Sequence, residues 1–79
     1  MIIELWRGHV RLKIGERVIT IQGEVYLRGY GSPDFVAYRN TILRWDEPVS
    51  QDLTPEEKEL VERVLQSDFK AMGMTVEIE

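Results

Sequence analysis

One segment of this chain has a helix written into it from end to end, and it decides what the rest must be. Thr54-Pro55-Glu56-Glu57 is a complete start signal. Threonine at the N-cap accepts a hydrogen bond from the free amides of the first turn. Proline at the first helical position has no amide to lose, and glutamate at the third reaches back to close a capping box. Leu60, Val61, Val64, Leu65, Phe69 and Met72 then recur at three- and four-residue spacing, one apolar stripe. Gly73 supplies the left-handed residue on which helices commonly end. The spacing predicts a helix over residues 55–72, inside a capped unit spanning 54–73. A helix apolar on one side needs a face to cover, and the remainder of a 79-residue chain must supply it.

That remainder reads as β. Val10, Leu12 and Ile14 alternate with Arg11 and Lys13, the period-two pattern of a strand wet on one face. Ile14-Gly15-Glu16-Arg17 is a turn, and 18–22 is a β-branched run. Gly23 is expected to break that run, with alternation resuming through Val25 and Leu27 against Glu24, Tyr26 and Arg28. Gly29-Tyr30-Gly31-Ser32-Pro33-Asp34 is the most turn-like stretch. Strands are expected at 35–39 and 42–45, the latter closing the sheet, with Asn40 in a turn between them. Connections this brief cannot cross over, so residues 1–45 are expected to form an antiparallel meander of five or six short strands. Residues 46–53 read as a polar connector. Met74, Val76 and Ile78 alternate in a terminal strand over 74–79. The expected fold is a single α+β domain, a meander packed against one C-terminal helix and followed by a final short strand.

Composition and motifs narrow the function mainly by exclusion. A chain this short buries only about 60% of its unfolded surface, and it has no cysteine with which to staple itself. The same absence fits a reducing compartment better than a secreted one, where small domains are disulfide-dense. Met1-Ile2-Ile3-Glu4 lacks the basic and apolar regions of a signal peptide, and no apolar run approaches the ~18 residues of a membrane span. A cytoplasmic location without membrane contact is expected. His9 has no serine, cysteine or carboxylate at a recognisable catalytic spacing. Ser32, Ser50 and Ser67 are outside any nucleophile-elbow context, and Gly29 and Gly31 lack the Lys-Ser/Thr of a phosphate loop. The carboxylates Asp46, Glu47 and Asp52 lack calcium-loop spacing. No catalytic residue, metal or cofactor is expected, and the chain reads as a non-enzyme.

Charge is distributed unevenly. Residues 1–45 carry seven Lys and Arg against four Asp and Glu, whereas residues 46–79 carry three against ten. Two readings are open: solvated faces of opposite sign, or a face that meets a charged partner. The aromatic residues Trp6, Tyr26, Tyr30, Tyr38 and Trp45 are open in the same way. Trp45 is either a core-capping indole whose N–H needs an acceptor or an anchor for a partner.

The pattern Gly23-Glu24, then Asp34-Phe35-Val36-Ala37-Tyr38-Arg39, then Ile42-Leu43-Arg44-Trp45-Asp46-Glu47-Pro48, continues into a charged helix and a Gly73-Met74-Thr75-Val76-Glu77-Ile78-Glu79 tail. It resembles the immunity protein 74 family, bacterial proteins predicted to neutralise toxins of polymorphic secretion systems. The likeness covers nearly the whole chain, and its distinctive element is the Trp-Asp-x-Pro step at Trp45, Asp46 and Pro48. The resemblance implies a non-enzymatic, cytoplasmic protein whose partner is a cognate toxin. On that footing the candidate partner-binding surface is the sheet-to-helix corner: Arg44, Trp45, Asp46, Glu47 and Asp52, with Glu56 in the first helical turn. Against a nuclease toxin, Asp46, Glu47, Asp52, Glu56, Glu57 and Glu59 would occupy a groove meant for phosphates. Two alternatives stay open. One is a nucleic-acid-binding module using Arg11, Lys13, Arg28 and nearby tyrosines, against which the overall acidity weighs. The other is a homodimeric accessory protein.

Overall fold

A computed structural model describes residues 1–26 and 31–79 of the chain. The expected alternation at Leu27 and Arg28, and the turn residues Gly29 and Tyr30, lie outside the described residues. In chain order the elements are β1 (Ile2–Leu5), β2 (His9–Ile14), β3 (Arg17–Val25), β4 (Phe35–Ala37), a 3-10 turn at Arg39–Thr41, β5 (Arg44–Trp45), β6 (Gln51–Asp52), α1 (Pro55–Ala71) and β7 (Val76–Ile78). The main sheet runs β1-β2-β3-β4-β7, with the helix across one face, so the expected α+β architecture is the one observed.

The central hairpin joins β2 to β3 in an unbroken antiparallel register from His9–Gln22 to Ile14–Arg17. Gly15 turns it with φ 63° while Glu16 keeps a negative φ, the pattern of a type II′ turn, whose twist matches that of the flanking strands. Val10, Leu12, Ile19 and Ile21 point inward and are fully buried, as the period-two reading requires. β1 pairs antiparallel with β2 through a register shift between Ile2 and Glu4.

Gly23 does not break β3, contrary to expectation; the strand runs through it to Val25. The reason is non-local. A Cβ at Gly23 would lie 2.6 Å from the Phe35 ring and 2.2 Å from the Val36 carbonyl oxygen. The glycine is there so that β4 can bring Phe35 flat against the sheet, where it stacks on Phe69 of α1 with centroids 5.5 Å apart.

Two further expectations need correction. The strand at 42–45 shrinks to Arg44–Trp45 and does not close the main sheet; it pairs with Gln51–Asp52 in a separate two-stranded ladder. The segment 46–53 is therefore not a plain polar connector, and its last residue, Leu53, is buried in the core. The terminal strand β7 pairs parallel to β4, Phe35 opposite Val76 and Ala37 opposite Ile78. Parallel pairing needs a long crossover, and residues 38–75, with the helix inside them, provide one.

α1 carries the complete capping box and ends at Ala71, with Met72 as C-cap and Gly73 just past it at φ 73°. Val61, Leu65 and Phe69 of the stripe are fully buried, and Leu60 and Val64 are half-buried. Met72 is 47% exposed, because the helix closes at Ala71 and the C-cap residue leaves the stripe.

Two substitutions test this packing by urea unfolding. Leu65→Ala should cost about 2–5 kcal/mol, the range for truncating a fully buried leucine. Parental stability in that variant would mean the helix does not pack on the sheet. Gly23→Ala should cost about 1–3 kcal/mol by overpacking against Phe35 and β4, although alanine is the easier residue to order in a strand.

Candidate functional site

The sheet-to-helix corner is built by the short ladder of β5 and β6. Arg44 faces Asp52 and Trp45 faces Gln51, and the Leu53 amide donates to the Leu43 carbonyl at 2.9 Å. The loop between the two strands bends against β3: the Asp46 amide donates to the Val18 carbonyl at 2.7 Å, and the Val18 amide donates to the Glu47 carbonyl at 3.1 Å. Val49 and Leu43 are left 63% and 54% exposed.

Beneath this hairpin the capping glutamate does more than cap. Glu57 Oε1 accepts from the Thr54 amide at 2.9 Å, and its Oε2 accepts from Trp45 Nε1 at 3.2 Å and from the Arg17 guanidinium. That guanidinium also lies 4.5 Å from the centre of the Trp45 ring, within cation–π range. The Thr54 amide, followed by Arg17 and Trp45, holds the Glu57 carboxyl below its ordinary pKa. Trp45 is only 1% exposed, so the anchor reading fails and the core-capping one holds.

The other candidate residues remain at the surface, mostly committed. Arg44 Nη2 and Asp52 Oδ1 lie 3.3 Å apart, both side chains exposed. Asp46 Oδ2 accepts from the Thr20 hydroxyl at 2.6 Å, and Glu47 Oε2 accepts from Arg11 Nη2 at 2.8 Å. Glu56 is exposed and makes no ion pair among the described residues. Arg39 Nε and Nη2 donate to the two Glu62 oxygens at 3.0 and 3.2 Å. The uneven charge along the chain is thus largely an internal match: Arg11, Arg17, Arg39 and Arg44 of the basic half each meet an acid of the acidic half.

A second surface lies on the outer face of β3, β4 and β7, opposite the helix. Register places Glu24, Val36 and Glu77 side by side across the three strands. The next row is Gln22, Tyr38 and Glu79, joined by the Tyr38 amide to the Gln22 carbonyl at 2.8 Å and the Glu79 amide to the Ala37 carbonyl at 2.9 Å. The Tyr26 hydroxyl donates to Glu24 Oε2 at 2.9 Å. That bond, which a phenolate could not make, raises the Tyr26 pKa above its ordinary value. Burial and then Glu24 do the same for Tyr38. Glu24, Tyr26, Glu77 and Glu79 are exposed, and none of the three glutamates has a Lys or Arg partner among the described residues. The tyrosines are visible in the sequence; their carboxylate neighbours come from strand register, which it does not display.

His9 Nε2 lies 3.1 Å from Glu4 Oε2, and this contact is the main cause of a lowered Glu4 pKa. Trp6 nearby is exposed. Among the described residues no group of three His, Cys, Asp or Glu could hold a metal, and no helix is long and apolar enough to cross a membrane. What the geometry defines is a small two-layer α+β domain with two exposed polar surfaces, a hairpin and a sheet face. The chain belongs to the immunity protein 74 family, whose model matches residues 2–79. Comparison with curated proteins and with solved structures returned no match.

Two measurements test the corner. Thr54→Ala should cost about 1 kcal/mol in thermal or urea unfolding by removing the cap. Because the Glu57 pKa is lowered by folding, its stabilisation is full above the ordinary glutamate value of 4.5 and lost as pH falls through the lower folded value. Glu57→Gln should therefore be less stable than the parent at neutral pH and should show a shallower loss of stability on acidification below that value. Identical pH profiles would remove Glu57 from the corner's stabilisation.

Proposed function

We propose that this chain binds a cognate toxin domain and neutralises it by covering a surface the toxin needs, with no chemistry of its own. The observation that carries this is family membership across residues 2–79. The side chains agree with a binding role. The histidine and most corner carboxylates are engaged in structural pairs, and the exposed remainder is the mixture of charge, aromatic rings and scattered apolar groups found at protein interfaces. Neutralisation of a toxin that acts on intracellular targets would place the chain in the cytoplasm of the cell that makes it.

The corner remains a proposed contact through Arg44, Asp46, Glu47, Asp52 and Glu56, with Leu43 and Val49 added and Trp45 removed. Direct mimicry of phosphates there is weakened, because Glu47 and Asp52 already face Arg11 and Arg44. The nucleic-acid alternative loses support for a related reason. Tyr26 and Tyr38, which would stack on bases, share their face with Glu24, Glu77 and Glu79, whose charges repel a phosphate backbone.

A secreted protein with a toxic C-terminal domain is expected to be encoded just upstream of this chain's gene, and the test is co-expression with that domain. Growth should be restored, and the two proteins should co-elute in size-exclusion chromatography. Continued toxicity together with separate elution would overturn the proposal.

A further inference from the structure

We infer that the toxin is met on the outer face of β3, β4 and β7, and that the surface it brings there is basic. The inference rests on the reading that this chain binds a toxin domain; what it adds is the place and the chemistry of contact. The argument begins with which charges are already spent. Arg11 on Glu47, Arg17 on Glu57, Arg39 on Glu62 and Arg44 on Asp52 draw the acidic half of the chain onto the basic half. A partner binding at the corner would compete with arginines the fold already supplies.

The face of β3, β4 and β7 is different. Glu24 and Glu77 flank Val36 in one row, and Glu79 adjoins Tyr38 in the next. No Lys or Arg among the described residues pairs with any of the three glutamates. The helix covers the opposite side of the sheet, and on this side Glu24, Tyr26, Glu77 and Glu79 are exposed among the described residues. Tyr26 is tied to Glu24 by its hydroxyl, and register sets Tyr38 and Glu79 in the row beside Glu24 and Glu77, so the rings and the carboxylates share one patch. Rigid aromatic side chains beside unneutralised carboxylates suit arginine- and lysine-bearing surfaces. Guanidinium groups can take the carboxylates in bidentate hydrogen bonds and stack on the phenol faces. Unpaired charge also steers an oppositely charged partner into encounter, which the compensated corner does less well.

The test measures affinity of the toxic domain encoded beside the gene for three folded proteins, each first checked by thermal unfolding. These are the parent, the sheet-face pair Glu24→Gln/Glu77→Gln, and the corner pair Asp52→Asn/Glu56→Gln. The sheet-face pair should weaken binding at least about tenfold at ~50 mM salt, the gap narrowing as salt rises, while the corner pair stays near parental affinity. Tyr26→Ala, which alters no charge, should also weaken binding. Loss in the corner pair with parental affinity in the sheet-face pair would overturn this inference and leave the toxin-binding proposal standing. If the parent itself does not bind the toxin domain, that proposal falls, and the surface is read instead by nuclear magnetic resonance titration with a hexa-arginine peptide. Shifts concentrated at Glu24, Tyr26, Tyr38 and Glu77 would support the basic-partner face; shifts concentrated at the corner, or spread evenly, would overturn it.

Discussion

A single carboxylate sets the geometry from which the rest of the molecule follows. Glu57 takes hydrogen bonds from the backbone where the helix starts, from the indole of β5 and from the guanidinium at the start of β3. Three elements distant in sequence are thereby fixed to one point. With its first turn held at the turn end of the central hairpin, the helix lays Val61, Leu65 and Phe69 on the inner face of the sheet. Phe69 then meets Phe35, and Phe35 can lie there only because Gly23 has no side chain. The helix also returns the chain to the edge of β4, where β7 adds itself in parallel.

Legibility in the sequence followed the range of the interaction. The helix and its ends were open to reading because Thr54, Pro55, Glu57 and Gly73 act within one turn of themselves. The same holds for the Val10–Leu12 alternation and the turn at Gly15. What depends on a distant partner was hidden. Gly23 looks like a strand breaker until Phe35 is seen beside it. Ile2–Leu5 shows little alternation because its pairing carries a register shift. Gln51 and Asp52 are too polar and too few to announce a strand, and Leu53 looks like part of a polar linker until its burial is known. Trp45 was recognisable as an indole in need of an acceptor; the identity of that acceptor was not.

The charge pattern illustrates the same limit from the other side. Its segregation between halves of the chain is plain, and a solvated surface or a charged partner were both fair accounts of it. The fold supplies a third account, in which the two halves largely neutralise each other. Surface ion pairs of this kind are worth little individually, typically about 0–1 kcal/mol. Their larger effect here is on what remains unpaired, since each arginine committed to the helix or the hairpin is one fewer available to mask the sheet face. Charge placement thus selects which surface stays electrostatically active, even where it adds little stability.

The parallel strand at the end of the fold has a bearing on how the molecule is made. β4 is only three residues long and lies between β3 and β7, yet β7 is assembled from residues 76–78. On the ribosome the central hairpin can close early, since its strands are adjacent in sequence. β4 meanwhile waits with one edge bare until the whole helix and the segment after it have emerged. A bare strand edge is a template for pairing with a neighbouring chain. The vulnerable interval in the folding of this protein is therefore the one before residues 76–78 reach β4, and anything that delays their pairing would prolong it.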